Sequence, residues 1–148
     1  MTVIEAVDVE GAVKAYLSTY PGLTGSGAPL AGGIHLGHPR LPSVGAIGEL
    51  RSGPSRAIDD TWDQARIEVY VRAAGKAARS VAELGCRAVA LALLEVCGPQ
   101  PVVQTARGDW VKILRVGNGS GPSIAGDLGS EVVYVFDADV QCQPATGP

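Results

Sequence analysis

Strict alternation of apolar and polar residues is clearest at 66–72. Ile67, Val69 and Val71 fall on one side and Arg66, Glu68, Tyr70 and Arg72 on the other, the pattern of a half-buried strand. The same period of two returns at 131–141. There Val132, Tyr134, Phe136, Ala138 and Val140 share one face, and Glu131, Val133, Val135, Asp137, Asp139 and Gln141 share the other. A third alternating run occupies 110–116, and weaker strands are predicted at 34–36 and 46–51. Two stretches instead repeat at helical spacing. After Asp8, an N-cap residue by type, come Val9, Ala12, Val13, Tyr16, Leu17 and Tyr20, and Pro21-Gly22 ends the run. Residues 76–96 are rich in Ala and Leu, lack Pro and stop at Gly98-Pro99, which predicts a helix of about five or six turns. Its small residues Ala78, Val81, Gly85, Ala88 and Ala92 form a stripe expected to lie against the sheet.

Between these elements Gly and Pro dominate, with 20 and 10 copies in 148 residues. The chain after Leu23 reads TGSGAPLAGG and then GHPRLPS, and 117–130 reads GNGSGPSIAGDLGS. Flexible loops are therefore expected at 23–33 and 117–130, and a short C-terminal tail at 142–148. The order of elements predicts an α+β fold: a mainly antiparallel β-sheet covered by the one long helix, with the shorter N-terminal helix docked at its side or edge and long Gly-rich loops. The length suits a single domain, 1–148, able to bury about two thirds of its unfolded surface.

Composition sharpens this picture. The chain is 46% hydrophobic and 18% charged, apolar for its size, as when part of a surface meets another protein. A formal charge of -3 argues against a general nucleic-acid binder. The distribution is uneven: residues 1–39 sum to -2, 40–115 to +3 and 116–148 to -4, an asymmetry that suits head-to-tail contact between copies. The longest apolar run, 88–94, is too short to span a bilayer, and no basic segment precedes an apolar one at the start. The expected setting is a cytoplasm, without membrane association.

Catalytic and ligand motifs are thin. His35 and His38 have a spacing that serves a metal on a helix, but Gly37 and Pro39 forbid a helix there. GNGSG lacks the full phosphate-cradle pattern and leads into a strand, while Gly75-Lys76 lacks the earlier glycine of a P-loop. Asp59, Asp60 and Asp63 lack the supporting pattern of a calcium loop and read as a solvated turn. Cys86, Cys97 and Cys142 are odd in number and widely spaced, which suits reduced, buried thiols. Trp62 and Trp110 are candidates for interface or core anchors. The expectation is a non-enzyme with no metal and no cofactor.

A pattern across most of the chain resembles the tail terminator proteins of long-tailed bacteriophages, including those of phages that infect actinobacteria. It runs from DVEGAVKAYLSTYPGL through WDQARIEVYVRAAGKAARSVAELGCRAVALALLEV to WVKILRV and SEVVYVFDADVQC. Its core is a strand of alternating Arg and apolar residues, a Gly turn, an Ala-rich helix and a last strand that ends in a D-A-D-V run. The resemblance implies a structural virion protein at the tail-neck junction, assembled in the host cytoplasm. It implies a homo-oligomeric ring of six that caps the head-proximal end of the tail tube, ends tube polymerisation and docks to the head-neck connector, with DNA in transient passage.

Such a ring needs heterologous interfaces, and opposite charges on the two patches favour closure. Glu131, Asp137 and Asp139 are candidates to line the channel, or to meet Arg66 and Arg72 of a neighbouring copy. Gly117, Asn118, Gly119, Ser120 and Gly121 are the candidate partner-contact loop. The alternatives are another neck or tail component, a head-closure or tail tube protein, and, from a different class, a small-molecule-binding α+β domain.

Overall fold

The two most strictly alternating stretches pair with each other. In the computed structural model, which describes residues 7–37, 45–53, 56–59, 62–98, 100–127 and 130–147, β4 (Trp62–Ala74) and β7 (Glu131–Pro144) run antiparallel. Their register is unbroken from Asp63 opposite Cys142 to Ala74 opposite Glu131. Equal periods in a fixed register sort the pair into two faces. Ile67 with Ala138, Val69 with Phe136 and Val71 with Tyr134 lie on the buried face, and Arg66 with Asp139 and Glu68 with Asp137 on the other.

The remaining strands extend this pair on both sides. β2 (Ala46–Ser52) is antiparallel to β4, and β1 (Ile34–Leu36) is parallel to β2. β6 (Trp110–Asp127) is antiparallel to β7, and β5 (Val102–Gln104) to the start of β6. β3 (Arg56–Asp59) pairs with the first residues of β4, beyond the reach of β2. The sheet order is therefore β1-β2-β4-β7-β6-β5, with β3 beside β4.

Two helices complete the core: α1 (Val9–Thr19) and α2 (Ala78–Leu94), the latter running on into a 3-10 turn, Glu95–Cys97. Asp8 caps α1 as expected, its Oδ1 accepting from the Gly11 amide at 2.9 Å. α1 touches both β1 and β5, the two ends of the strand path. In a flat sheet these ends would stand about 24 Å apart, five spacings of about 4.8 Å, farther than a helix of this length can reach. The sheet is accordingly curled, and a single apolar cluster joins both helices to its inner face.

The expected sheet covered by one long helix is corrected by this arrangement. The described residues are about half strand and a quarter helix, a mostly β protein with a curled sheet and two helices. Three features account for the difference. α1 does not dock at a side or edge: it places Val9, Ala12, Val13 and Leu17 in the common core. β3 and β5 add strands that their short sequences did not announce. Most of all, 117–127 is strand, not flexible loop.

β6 follows β7 through that glycine-rich stretch by means of three register shifts, after an earlier one between Ile113 and Arg115. At Gly121, with φ +105°, a Cβ would lie 2.5 Å from the Val135 carbonyl oxygen, so only glycine allows this approach. Residues 23–33 are also tied down. Leu23 and Leu30 are buried, and the Leu30 amide donates to the Leu23 carbonyl at 3.0 Å. The expected tail from 142 likewise begins as strand, because β7 continues to Pro144.

Ala78, Gly85 and Ala92 of the predicted stripe are buried on α2, but the centre of its buried face is rotated from the predicted one. Its buried residues are Ala78, Ala82, Gly85, Cys86, Val89, Ala90, Ala92 and Leu93, while Val81 and Ala88 are only partly covered. Among the described residues no helix is long and apolar enough to cross a membrane. At Gly85 a Cβ would meet Leu30 Cδ2 and Val71 Cγ1 at 3.0 Å, so helix and sheet touch there with no spare room. Gly85→Val should lower stability by about 1–3 kcal/mol through overpacking, whereas Ser80→Ala at an exposed position of the same helix should stay within about 0.5 kcal/mol. Urea denaturation of both variants tests this, and an opposite ranking would mean that α2 is rotated differently.

Candidate functional site

The polar face of β2, β4 and β7 gathers the charged residues of the alternating stretches. Sorting by period two puts Glu49 and Arg51 of β2, Arg66, Glu68, Tyr70 and Arg72 of β4, and Glu131, Asp137, Asp139 and Gln141 of β7 on one surface. Two ion clusters form there. In the first, Glu49 is 1% exposed and contacts Arg51 and Arg72, each at 3.1 Å, while Arg72 also reaches Glu131 at 3.9 Å. A carboxylate so far from water needs such partners, because an unpaired buried charge is among the most costly features of a fold.

The second cluster lies where β6 crosses onto this face. Arg66 stands opposite Asp139 and diagonal to Asp137, and binds them at 3.2 and 3.0 Å. Its Nη1 also donates to the Asn118 carbonyl at 2.9 Å, and Asn118 Nδ2 donates to Asp139 at 2.8 Å. Asn118 has φ +51°, a left-handed conformation that Asn tolerates better than most residues. The Asn118 amide, with Arg66 beside it, holds the Asp139 carboxyl below its ordinary range although partial burial opposes this. Between the clusters the Tyr70 hydroxyl donates to Glu68 at 2.7 Å, and the Arg51 guanidinium sits 4.6 Å from the centre of the Tyr70 ring. Asp137 faces the like-charged Glu68, and each carboxylate is relieved by a different neighbour, Arg66 and Tyr70.

Arg66, Arg72, Glu131, Asp137 and Asp139 therefore share one face, and ion pairs link them within the chain. The candidate loop Gly117, Asn118, Gly119, Ser120 and Gly121 is part of β6. Its Asn118 belongs to the Arg66 cluster, and Gly119 backs onto Phe136, 3.1 Å from where a Cβ would stand. Two participants went unnoticed in the sequence, Glu49 and Arg51; Tyr70 is assigned there only to the polar face of its strand, and Asn118 only to the partner-contact loop. A lone acid inside the apolar run AIGEL was the available signal for Glu49. For Asn118 none was present, since its role depends on the bulged path of β6.

Other candidates separate. His35 Nε2 lies 2.7 Å from the Gly32 carbonyl, and His38 falls outside the described residues. Asp63 is not in a solvated turn: it is 6% exposed and accepts from the Val7 amide. Asp60 is also outside the described residues. Among the described residues no group of three or more His, Cys, Asp or Glu side chains comes together as a metal cage would require. The thiols of Cys86 and Cys142 are free, and burial pushes both up to about 12, which suits core packing better than nucleophilic chemistry. Trp110 lies under the end of the chain, where a Cβ on Gly147 would stand 2.6 Å from its ring. No protein-family model matches the chain, and no curated protein matches it in sequence.

Two measurements test this face. Glu49→Ala leaves Arg72 and Arg51 without their shared carboxylate and should cost about 3 kcal/mol, the lower end for buried pairs because both arginines still reach water. Denaturant unfolding would contradict this by showing no loss. Because the folded-state value of Asp139 is lowered, its contribution is fully present above the ordinary 3.8 and is lost as pH falls through the lowered value. Asp139→Asn should therefore be less stable than the wild type at pH 7 and converge on it in acid, and a difference that stays constant with pH would refute the assignment.

Proposed function

We propose that the chain is a ring-forming structural subunit of a phage tail, the tail terminator that caps the head-proximal end of the tail tube and meets the head-neck connector. The observation that carries this reading is the outer side of α2. Leu84, Leu91 and Leu94 are 60, 66 and 48% exposed, three of the six large apolar side chains exposed among the described residues and grouped on one side of one helix. An apolar ridge of this kind suits burial against a neighbouring subunit, and a ring of identical copies supplies one. The resemblance in element order and pattern along most of the chain supports the same reading.

The polar face fits the channel of such a ring. Arg51, Arg66 and Arg72 are each held by carboxylates of the same chain. Arginines engaged in this way are not set out to grip phosphates, and each phosphate contact avoided removes salt-dependent affinity that would slow DNA in transit.

Deletion of the gene from the phage that encodes it tests the assignment by electron microscopy. Tails of uncontrolled, excessive length detached from heads are expected. Tails of normal length beside heads that leak DNA would point instead to a head-closure protein, and intact infectious particles would overturn any place in the tail.

A further inference from the structure

The bulge of β6 at 118–119 places two demands on its residues. Gly117 pairs with Asp139 and Ser120 with Asp137, so Asn118 and Gly119 together stand opposite the single residue Ala138. Position 118 is held at φ +51°, a conformation open to asparagine and glycine but strained for most side chains. Position 119 backs onto Phe136, where a Cβ would stand 3.1 Å from the ring. Asparagine meets the first demand and also supplies the donor that Asp139 accepts at 2.8 Å, while glycine meets the second. The chain contains no other asparagine.

The same pair of residues is chemically labile. An asparagine carboxamide is open to attack by the main-chain nitrogen of the next residue, and a glycine there has no side chain to block the approach. Asn118 and Gly119 are both exposed, so water and hydroxide reach them. Hydroxide removes the Gly119 amide proton, the nitrogen forms a bond to Asn118 Cγ, and the Cγ–Nδ2 bond breaks with Nδ2 leaving as ammonia. Water then opens the five-membered imide at either of its carbonyls. One product is aspartate. The other is isoaspartate, in which the main chain runs through the former side chain and is longer by one atom. Nothing is oxidised or reduced, and water is the only co-reactant.

We propose that Asn118-Gly119 is a site of spontaneous deamidation and that Asp139 restrains it by holding the carboxamide. While Nδ2 donates to Asp139, Cγ is not free to turn toward the Gly119 nitrogen, so the reaction draws on molecules in which this bond has opened. Conversion then removes the restraint. A carboxylate replaces the donor beside Asp139, and Arg66, already bound to Asp137 and Asp139, gains a third acid to neutralise. Isoaspartate also shifts Gly119 relative to Phe136. Deamidation therefore loosens β6 from the Arg66 cluster, and the site stands whether or not copies of the chain form a ring.

Incubation of the folded, full-length chain in warm, mildly alkaline buffer tests the site, read by anion exchange and by peptide mapping with isoaspartate detection at residue 118. An acidic species carrying aspartate and isoaspartate at 118 should accumulate over days, several-fold more slowly than in urea. Asn118→Gly keeps a residue suited to the left-handed turn but has no carboxamide, and should yield no acidic species. Asp139→Ala should speed conversion at 118 several-fold. Asp139→Asn, which keeps the shape and a weaker acceptor, should fall between Asp139→Ala and the wild type, so the order stays readable if one variant fails to fold. A folded chain that keeps Asn118 intact while the urea sample converts fully, or the same acidic species from Asn118→Gly, would overturn the site. Equal rates in the wild type and both Asp139 variants would overturn the restraint.

Discussion

The register between β4 and β7 is the constraint on which the rest of the molecule depends. Twelve consecutive cross-strand pairs, from Asp63 with Cys142 to Ala74 with Glu131, leave no bulge in which an error could be absorbed. Because the side-chain period is two, a slip of one residue would turn Val69, Val71 and Phe136 to water and drive Arg66, Asp137 and Asp139 into the core. Both consequences are severe, so apolar burial and ion pairing select the same alignment. The curl of the sheet, the seat of α1 across its two ends and the contact of Gly85 with Val71 are all built on the apolar face that this register creates.

The opposite face shows what that register makes possible. Exposed ion pairs contribute little to stability, and buried ones often no more than a well-packed apolar substitute. The value of Glu49, Arg51, Arg66 and Arg72 lies more in specification. Arg66 ties two strands and the bulged part of a third to one point, and Glu49 ties β2 to β4 in a position where apolar contacts alone would tolerate small shifts. A surface whose charges answer one another is also fixed in shape, with its side chains already ordered before any partner arrives. In the ring proposed above, that property would suit the wall of a channel, where the moving molecule should find neither loose side chains nor strong anchors.

What was legible in the sequence follows from how local each signal is. The strands at 66–72 and 131–141 and the helix after Asp8 were readable because residues a few positions apart encode their faces. The stretch 117–127 was not, because glycine lacks the side chain that period-two reading requires. Its strand character comes from β7 beside it and from conformations such as those of Asn118 and Gly121. The rotation of α2 was misread for a related reason. Small residues lie on several of its faces, and only the position of Leu30, Val71 and Ala46 around Gly85 decides which of them meets the sheet. The candidate charged residues were found as a set, but their partners in β2 and β6 were not, since neither neighbour relation is written in the local pattern.

The bulged form of β6 also bears on how copies can associate. On its outer side β6 has a strand partner among the described residues only at Trp110–Lys112, where β5 pairs, so a long edge runs on toward Asp127. A straight edge of that length would invite a strand from another molecule. Here four register shifts bend it, Pro122 removes a donor, and glycines leave little side-chain surface for a neighbouring strand to cover. Growth by edge-to-edge strand addition is thereby disfavoured, and it would in any case have no reason to stop at a closed number. In the proposed ring, contacts made instead by side chains on the exposed side of α2 would have a defined geometry, and a defined angle between copies is the condition for a ring to close.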